Sequence, residues 1–240
     1  MNDRELEIEL DVDAAPEAVW YALTDAEGLL GWFASDARTE LRPDGDWELA
    51  SGEYRMTSRV DEIEAPKRLR VVAPPREGFA VATEFVVEAR GGGTVVRIVE
   101  SGFGPAESWD DEIRSRESGW TRYLENLRHY VENHAGEVAA ADYLYATFSG
   151  AAASAWDALA TLLRAELEVS ALEEHPPRTV AARVPELGDG RVLGSIESTG
   201  EDGMIWLQLI AYGDGREQLE AVRDRIRDRL TAAFPPAGAG

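Results

Sequence analysis

The run from Pro105 to Asn133 reads as one uninterrupted helix, and nothing else in the first half of the chain holds a helical pattern for so long. Pro105 suits a first helical turn, Ser108 can cap it, and Asp110, Asp111 and Glu112 place negative charge where the helix dipole favours it. Trp109, Ile113, Arg116, Trp120, Leu124, Leu127 and Val131 recur in steps of three or four and so share a stripe. Two tryptophans and an arginine stand where leucine would pack more simply. Two readings are open: bulky packing with Arg116 snorkelling to the edge, or a stripe that covers something other than a plain apolar core.

Such a stripe needs a sheet to lie on, and the residues before it supply one. Arg4 to Asp13 alternates strictly, with Leu6, Ile8, Leu10 and Val12 on one face and acidic residues on the other, as a half-buried strand does. Pro16 then opens a short helix with an apolar patch of Val19, Trp20 and Leu23, and Thr24-Asp25 can cap a second one running to Trp32-Phe33. From Arg38 to Glu100 the spacing of turn residues is too tight for helices. The pattern predicts strands at 39–42, 46–50, 53–64, 68–73, 81–90 and 94–101. Pro43-Asp44-Gly45, Ala65-Pro66 and Gly91-Gly92-Gly93 mark turns between them. The expected fold class is α+β: an antiparallel sheet of six or seven strands whose open face is covered by the long helix.

Several short stretches within this span carry a resemblance. Ala14-Ala15-Pro16-Glu17-Ala18-Val19-Trp20, Thr24-Asp25, Trp32-Phe33, Leu41-Arg42-Pro43-Asp44-Gly45, Ile63 to Leu69, Gly92-Gly93-Thr94, Ser101-Gly102-Phe103 and Gly119-Trp120 stand in that order. The series resembles the START-like superfamily, and within it the bacterial proteins named after the activator of heat-shock-protein ATPase, which are also grouped with polyketide cyclases. Asp44 departs from the pattern, which has a second glycine there. The resemblance implies a helix-grip fold, a curved antiparallel sheet wrapped around a long C-terminal helix with an elongated apolar cavity between them. One fold hosts many functions, so it does not name an activity.

After Asn133, His134-Ala135-Gly136-Glu137 stops the helix, which sets expected domains at residues 1–135 and 136–240. Leu144, Ala146 and Phe148 alternate as a strand, Ser154 to Leu163 reads as a helix, and Trp156 follows Trp20 at the same offset of 136 residues as Phe148 follows Val12. Strands are expected at 178–185, 191–198 and 204–212, with Gly188-Asp189-Gly190 and Gly200 to Gly203 as turns. A last helix carries Leu219, Val222, Ile226 and Leu230, and the tail from Pro235 reads as loose. This is a second, smaller α+β unit, read as a truncated helix-grip repeat. Its helix face of Trp156, Leu159, Leu162 and Leu163 is expected to need covering by the first unit or by another copy in a homodimer.

Composition excludes several classes of function. With 24 basic and 46 acidic residues the formal charge is −22, so nucleic acid and anionic membrane surfaces are poor partners. No segment is apolar for the length of a membrane span, and the N-terminus lacks the apolar centre of a signal peptide, so a cytoplasmic location is expected. There is no cysteine, which removes thiol nucleophiles and thiolate metal sites. His129, His134 and His175 have no nucleophile motif beside them, and the first two are five apart rather than on one helical face; neither a metal nor a cofactor is expected.

What remains is the space under the long helix. On the last strand of the sheet Val96, Ile98 and Glu100 share a face, which the resemblance places inside, so Glu100 points toward the helix that carries Arg116. A buried carboxylate either finds a cation or becomes neutral, so the two are expected to pair. The pair then either closes one end of the core or recognises a polar group of a ligand. Trp32, Phe33, Met56, Phe85, Trp109, Trp120 and Tyr123 are candidates for the remaining wall. The expected function is binding of a small apolar molecule. An aromatase- or cyclase-like enzyme is the alternative, for which only Glu100, Arg116, Tyr123 and Arg59 are available as polar groups; a co-chaperone role rests on the family name alone.

Overall fold

The strict alternation of the first strand decides how the sheet closes. In the computed structural model, which describes residues 4–52, 54–169, 171–176, 178–198 and 202–235, strand β1 (Glu5–Val12) buries Leu6, Leu10 and Val12 and exposes its acidic residues. Pro16 begins helix α1 (Pro16–Thr24), which buries Val19 and Leu23. Asp25 caps helix α2 (Ala26–Leu30) by accepting from the Glu27 N–H at 2.9 Å. Strands β2 (Asp36–Thr39), β3 (Asp46–Ser51), β4 (Tyr54–Glu64), β5 (Arg68–Val72), β6 (Ala82–Arg90) and β7 (Gly93–Ser101) then form a meander. β1 pairs antiparallel with β7, so the seven strands lie in the order β1-β7-β6-β5-β4-β3-β2.

One strand differs from the sequence reading: β2 covers 36–39 and not 39–42. Pro43 has no N–H for a ladder, and the chain has already turned by then, with the Gly45 N–H on the Arg42 carbonyl at 2.9 Å. Asp44 takes φ of 60°, the left-handed conformation its short polar side chain tolerates where glycine would be the default. Gly91 and Gly92, at φ of 60° and 96°, form the two-residue hairpin turn between β6 and β7.

Helix α3 (Ser108–Asn133) begins later than the sequence implied. Pro105 precedes it and Ser108 is its first residue, the cap position falling to Glu107 without a side-chain bond. The incoming chain is held instead by Arg4, which donates to the Gly104 carbonyl at 2.9 Å and pairs with Asp110. Trp109, Leu124, Leu127 and Val131 of the stripe are buried, while Ile113, Arg116 and Trp120 are half-buried. Gly119 sits in the middle of this helix, where an added Cβ would meet no atom within 4 Å.

The chain divides into two compact units, Met1–Val138 and Ala139–Gly240. The second contains β8 (Ala140–Ser149), α4 (Ala152–Glu166), β9 (Ala171–His175), β10 (Thr179–Val184), β11 (Gly190–Ser198), β12 (Asp202–Ala211) and α5 (Leu219–Ala233). Its strand order is β8-β12-β11-β10-β9, so the first strand again lies beside the last. α4 starts at residue 152 and α1 at residue 16, the same offset of 136 that relates the two tryptophans. The helix-grip expectation therefore holds for the large sheet and its helix, and a second, smaller sheet and helix unit is present.

Three details of this unit correct the sequence reading. Among the described residues it has five strands: β9 was not foreseen because Ala171-Leu172-Glu173-Glu174-His175 is poor in β-branched residues and is charged, as an edge strand permits. Strand β10 stops at Val184, because Pro185 to Leu187 form a short 3-10 turn. The face of Trp156, Leu159, Leu162 and Leu163 is buried within the unit's own cluster, against strand residues such as Val192 and Leu207 and against Val222, Ile226 and Leu230 of α5. Residues 200–201 of the expected turn and 236–240 of the expected loose tail lie outside the described residues.

Candidate functional site

The period of two on β7 turns Val96, Ile98 and Glu100 to one side, and all three are fully buried. Thr83 on β6 is the cross-strand neighbour of Glu100 and donates its hydroxyl to Glu100 Oε1 at 2.8 Å. Arg116, three to four residues from both Ile113 and Trp120 on α3, donates from Nη1 to the same oxygen at 2.9 Å. Its Nε donates to Glu112 Oε1 at 2.8 Å, and Arg76 Nη1 reaches Glu112 Oε2 at 3.2 Å. The Arg76 guanidinium also lies 4.4 Å from the centre of the Trp109 ring. Four charges of alternating sign thus run from the surface to the buried end of the sheet.

The electrostatics follow this order. Burial pushes the Arg116 guanidinium down, but Glu100 and Glu112 outweigh it and hold its pKa above the usual value. Burial raises Glu112, and the hydrogen bonds and charges of Arg116 and Arg76 outweigh that, holding it below the usual carboxylate range. The second oxygen of Glu100, Oε2, is buried and has no hydrogen-bond partner among the described residues. A fully buried carboxylate with one unsatisfied oxygen is uncommon, since such atoms are nearly always paired.

Beside it lies a cavity of about 370 Å³. Glu100, Thr83 and Arg116 form its polar end, while Met56, Val71, Phe85 and Trp120 form apolar walls. Trp47 on β3 closes another side, 5.8 Å from Phe85 between ring centres, and Phe85 stands edge-on to Trp120 at 5.8 Å. The indole Nε1 of Trp47 is buried and also lacks a partner among the described residues. Ser58, the register partner of Trp47, and exposed Arg55 and Thr57 complete the lining on the β4 side.

Of the residues singled out by sequence, the structure brings Met56, Phe85, Glu100, Arg116 and Trp120 to this cavity. Trp32, Phe33, Trp109 and Tyr123 lie outside its lining. Trp32 is a core ring whose Nε1 donates to the Ala22 carbonyl at 2.8 Å. Phe33 stacks on Trp32 at 5.0 Å and on Trp120 at 5.8 Å, with Tyr123 edge-on to it at 4.6 Å, so these rings back the wall. Trp109 belongs to a separate cluster with Leu6, Val81 and Phe103. Arg59 faces solvent, paired with Asp46. Trp47, Thr83 and Ser58 were missed, although the Trp47-Glu48-Leu49 alternation could have placed Trp47 on the inner face.

The other candidate chemistry is separate. The end of α3 brings the rings of His129 and His134 to 5.1 Å, with His134 Nδ1 3.0 Å from Glu137 Oε1. Among the described residues no three His, Cys, Asp or Glu side chains are placed to share a metal ion. No helix of the described residues is long and apolar enough to cross a membrane.

A seven-stranded antiparallel sheet gripping one long helix, with a cavity between them that ends in a buried ion pair, defines a helix-grip protein of the START-like superfamily. The chain belongs to the family of activator of Hsp90 ATPase homolog 1-like proteins, whose model matches residues 13–132. No curated protein matches its sequence. Among solved structures, protein MLL2253 of Mesorhizobium loti is similar at 18% identity and a TM-score of 0.50, over 55% of this chain and 98% of that one. The Aha1 dimer of Colwellia psychrerythraea is similar at 18% identity and 0.48, over 55% and 99%. DynU16, from the dynemicin biosynthetic locus, aligns over 97% of this chain and 96% of its own, at 16% identity and 0.49.

Proposed function

We propose that the first unit binds a small, largely apolar molecule in the cavity between its sheet and α3. The observation that carries this reading is the unpaired, buried oxygen of Glu100, a residue that lines a cavity walled by both polar and apolar side chains. A purely structural ion pair would be expected to satisfy both carboxylate oxygens, because an unpaired buried acceptor costs roughly 1 to 3 kcal/mol. A volume of about 370 Å³ suits a small ligand. Recognition fits the groups better than proton transfer, since Glu100 is tied to Arg116 and Thr83 and, among the described residues, no histidine lines the cavity.

Titration with the neutral fluorophore N-phenyl-1-naphthylamine tests this. Its emission is expected to rise on binding to the unaltered protein. Met56→Trp, which fills the cavity from a half-buried position, is expected to abolish that rise without lowering the melting temperature. Equal binding by the two proteins would place the fluorophore elsewhere and remove the case for this cavity.

A further inference from the structure

The charges around the cavity and its two orphaned polar atoms narrow the ligand further, on the premise that the cavity is a binding site. Arg76, Glu112, Arg116 and Glu100 are linked in series, two cations to two anions. Their charges cancel, so a charged group of a ligand buried beside them would find no free counter-charge and would lose its hydration uncompensated. The remaining charged residue of the lining, Arg55, is 75% exposed and 3.8 Å from Asp36. Two of the cavity's lining residues each carry a buried polar atom that lacks a partner among the described residues: Glu100 Oε2, which accepts, and Trp47 Nε1, which donates. Glu100 is 0% and Trp47 4% exposed, and both line the same cavity. Phe85, Trp120 and Met56 line the same cavity, surfaces for an apolar, preferably aromatic, body.

We infer that the ligand is a neutral molecule with an apolar body that carries both a hydroxyl or N–H donor, for Glu100 Oε2, and a carbonyl-type acceptor, for Trp47 Nε1. Glu100 and Trp47 are the specificity-determining residues of the site, with Arg116 and Thr83 holding the carboxylate in place. A site with two preset, desolvated polar atoms rejects an analogue that lacks the matching group, because the atom then stays unpaired.

Calorimetry with a matched set of naphthalenes on the full chain tests this. 6-Acetyl-2-naphthol has both groups, its methyl ether lacks the donor, 2-naphthol lacks the acceptor, and 6-hydroxy-2-naphthoate replaces the ketone with an anion. The first is expected to bind tightest, and each of the others about tenfold or more weaker. Trp47→Phe keeps the ring and removes the donor, so it is expected to lower the affinity for 6-acetyl-2-naphthol to that for 2-naphthol and to leave 2-naphthol unchanged. Equal binding of the methyl ether, or tighter binding of the naphthoate, overturns the inference while leaving the cavity a binding site. A Trp47→Phe protein that still prefers the ketone removes Trp47 from it. Failure of every naphthalene and of N-phenyl-1-naphthylamine to bind sinks the binding reading itself.

Discussion

In the second unit the last helix, α5, turns Leu219, Val222, Ile226 and Leu230 to its sheet, and all four are buried. In the first unit the helix at the same point of the circuit, α3, turns Trp109, Arg116 and Trp120 toward its sheet. Both units place the first strand beside the last, put a helix directly after the first strand and finish with a helix. What differs is the inner face. The second sheet offers Val180, Val192, Leu207 and Leu209, whereas the first offers Ser58, Thr83 and Glu100 among its apolar residues. The same winding can therefore be filled as a core or left with a cavity, and the difference lies in a few inward positions.

This contrast can be broken at three points. Leu209→Ala, at a fully buried position of the filled unit, is expected to destabilise by about 3 to 4 kcal/mol, whereas Met56→Ala beside an existing cavity costs under about 1 kcal/mol. Urea unfolding followed by amide exchange in each sheet would show it, and equal costs would mean the first unit is packed as tightly as the second. Next in size, Arg116→Met leaves the Glu100 carboxylate buried without its cation and is expected to cost about 3 kcal/mol. Glu100→Gln should cost only about 1 kcal/mol, since half-buried Arg116 keeps Glu112 and reaches water. The same melts decide, and similar small costs for both would show that the pair is not buried in effect.

The smallest effect concerns acid. Glu112 titrates below the usual carboxylate value in the folded protein, so its contribution is complete above the unfolded value of about 4.3 and is lost as pH falls through the folded one. Glu112→Gln should therefore lose less stability than the unaltered chain on acidification through that range. Parallel loss in both proteins would show that Arg116 and Arg76 do not hold Glu112 in solution.

Much of the first unit was legible because its signals are local. The alternation of Leu6 to Val12 and the glycines at 91 and 92 each follow from a few neighbouring residues. The closeness of Glu100 and Arg116 combined two such periods with the helix-grip likeness. Trp47 and Thr83 were not foreseen, because their place beside Phe85 and Glu100 depends on cross-strand register. Among the aromatic residues a ring in the wall and one behind it have the same signature: Trp120 and Trp32 differ only in which neighbours the fold supplies. Strand β9 was hidden for a third reason, since an edge strand needs little apolar surface.

Gly119 has a consequence for the backbone beside the cavity. A glycine inside a helix costs roughly 1 kcal/mol relative to alanine, and the empty surroundings of Gly119 give no packing reason for it. The intrinsic helical preference of α3 is therefore lowest one residue from Trp120, the ring that forms part of the wall. Local opening of the backbone is easiest where propensity is least, so the helix can loosen over the cavity at a lower free energy than the unit needs to unfold.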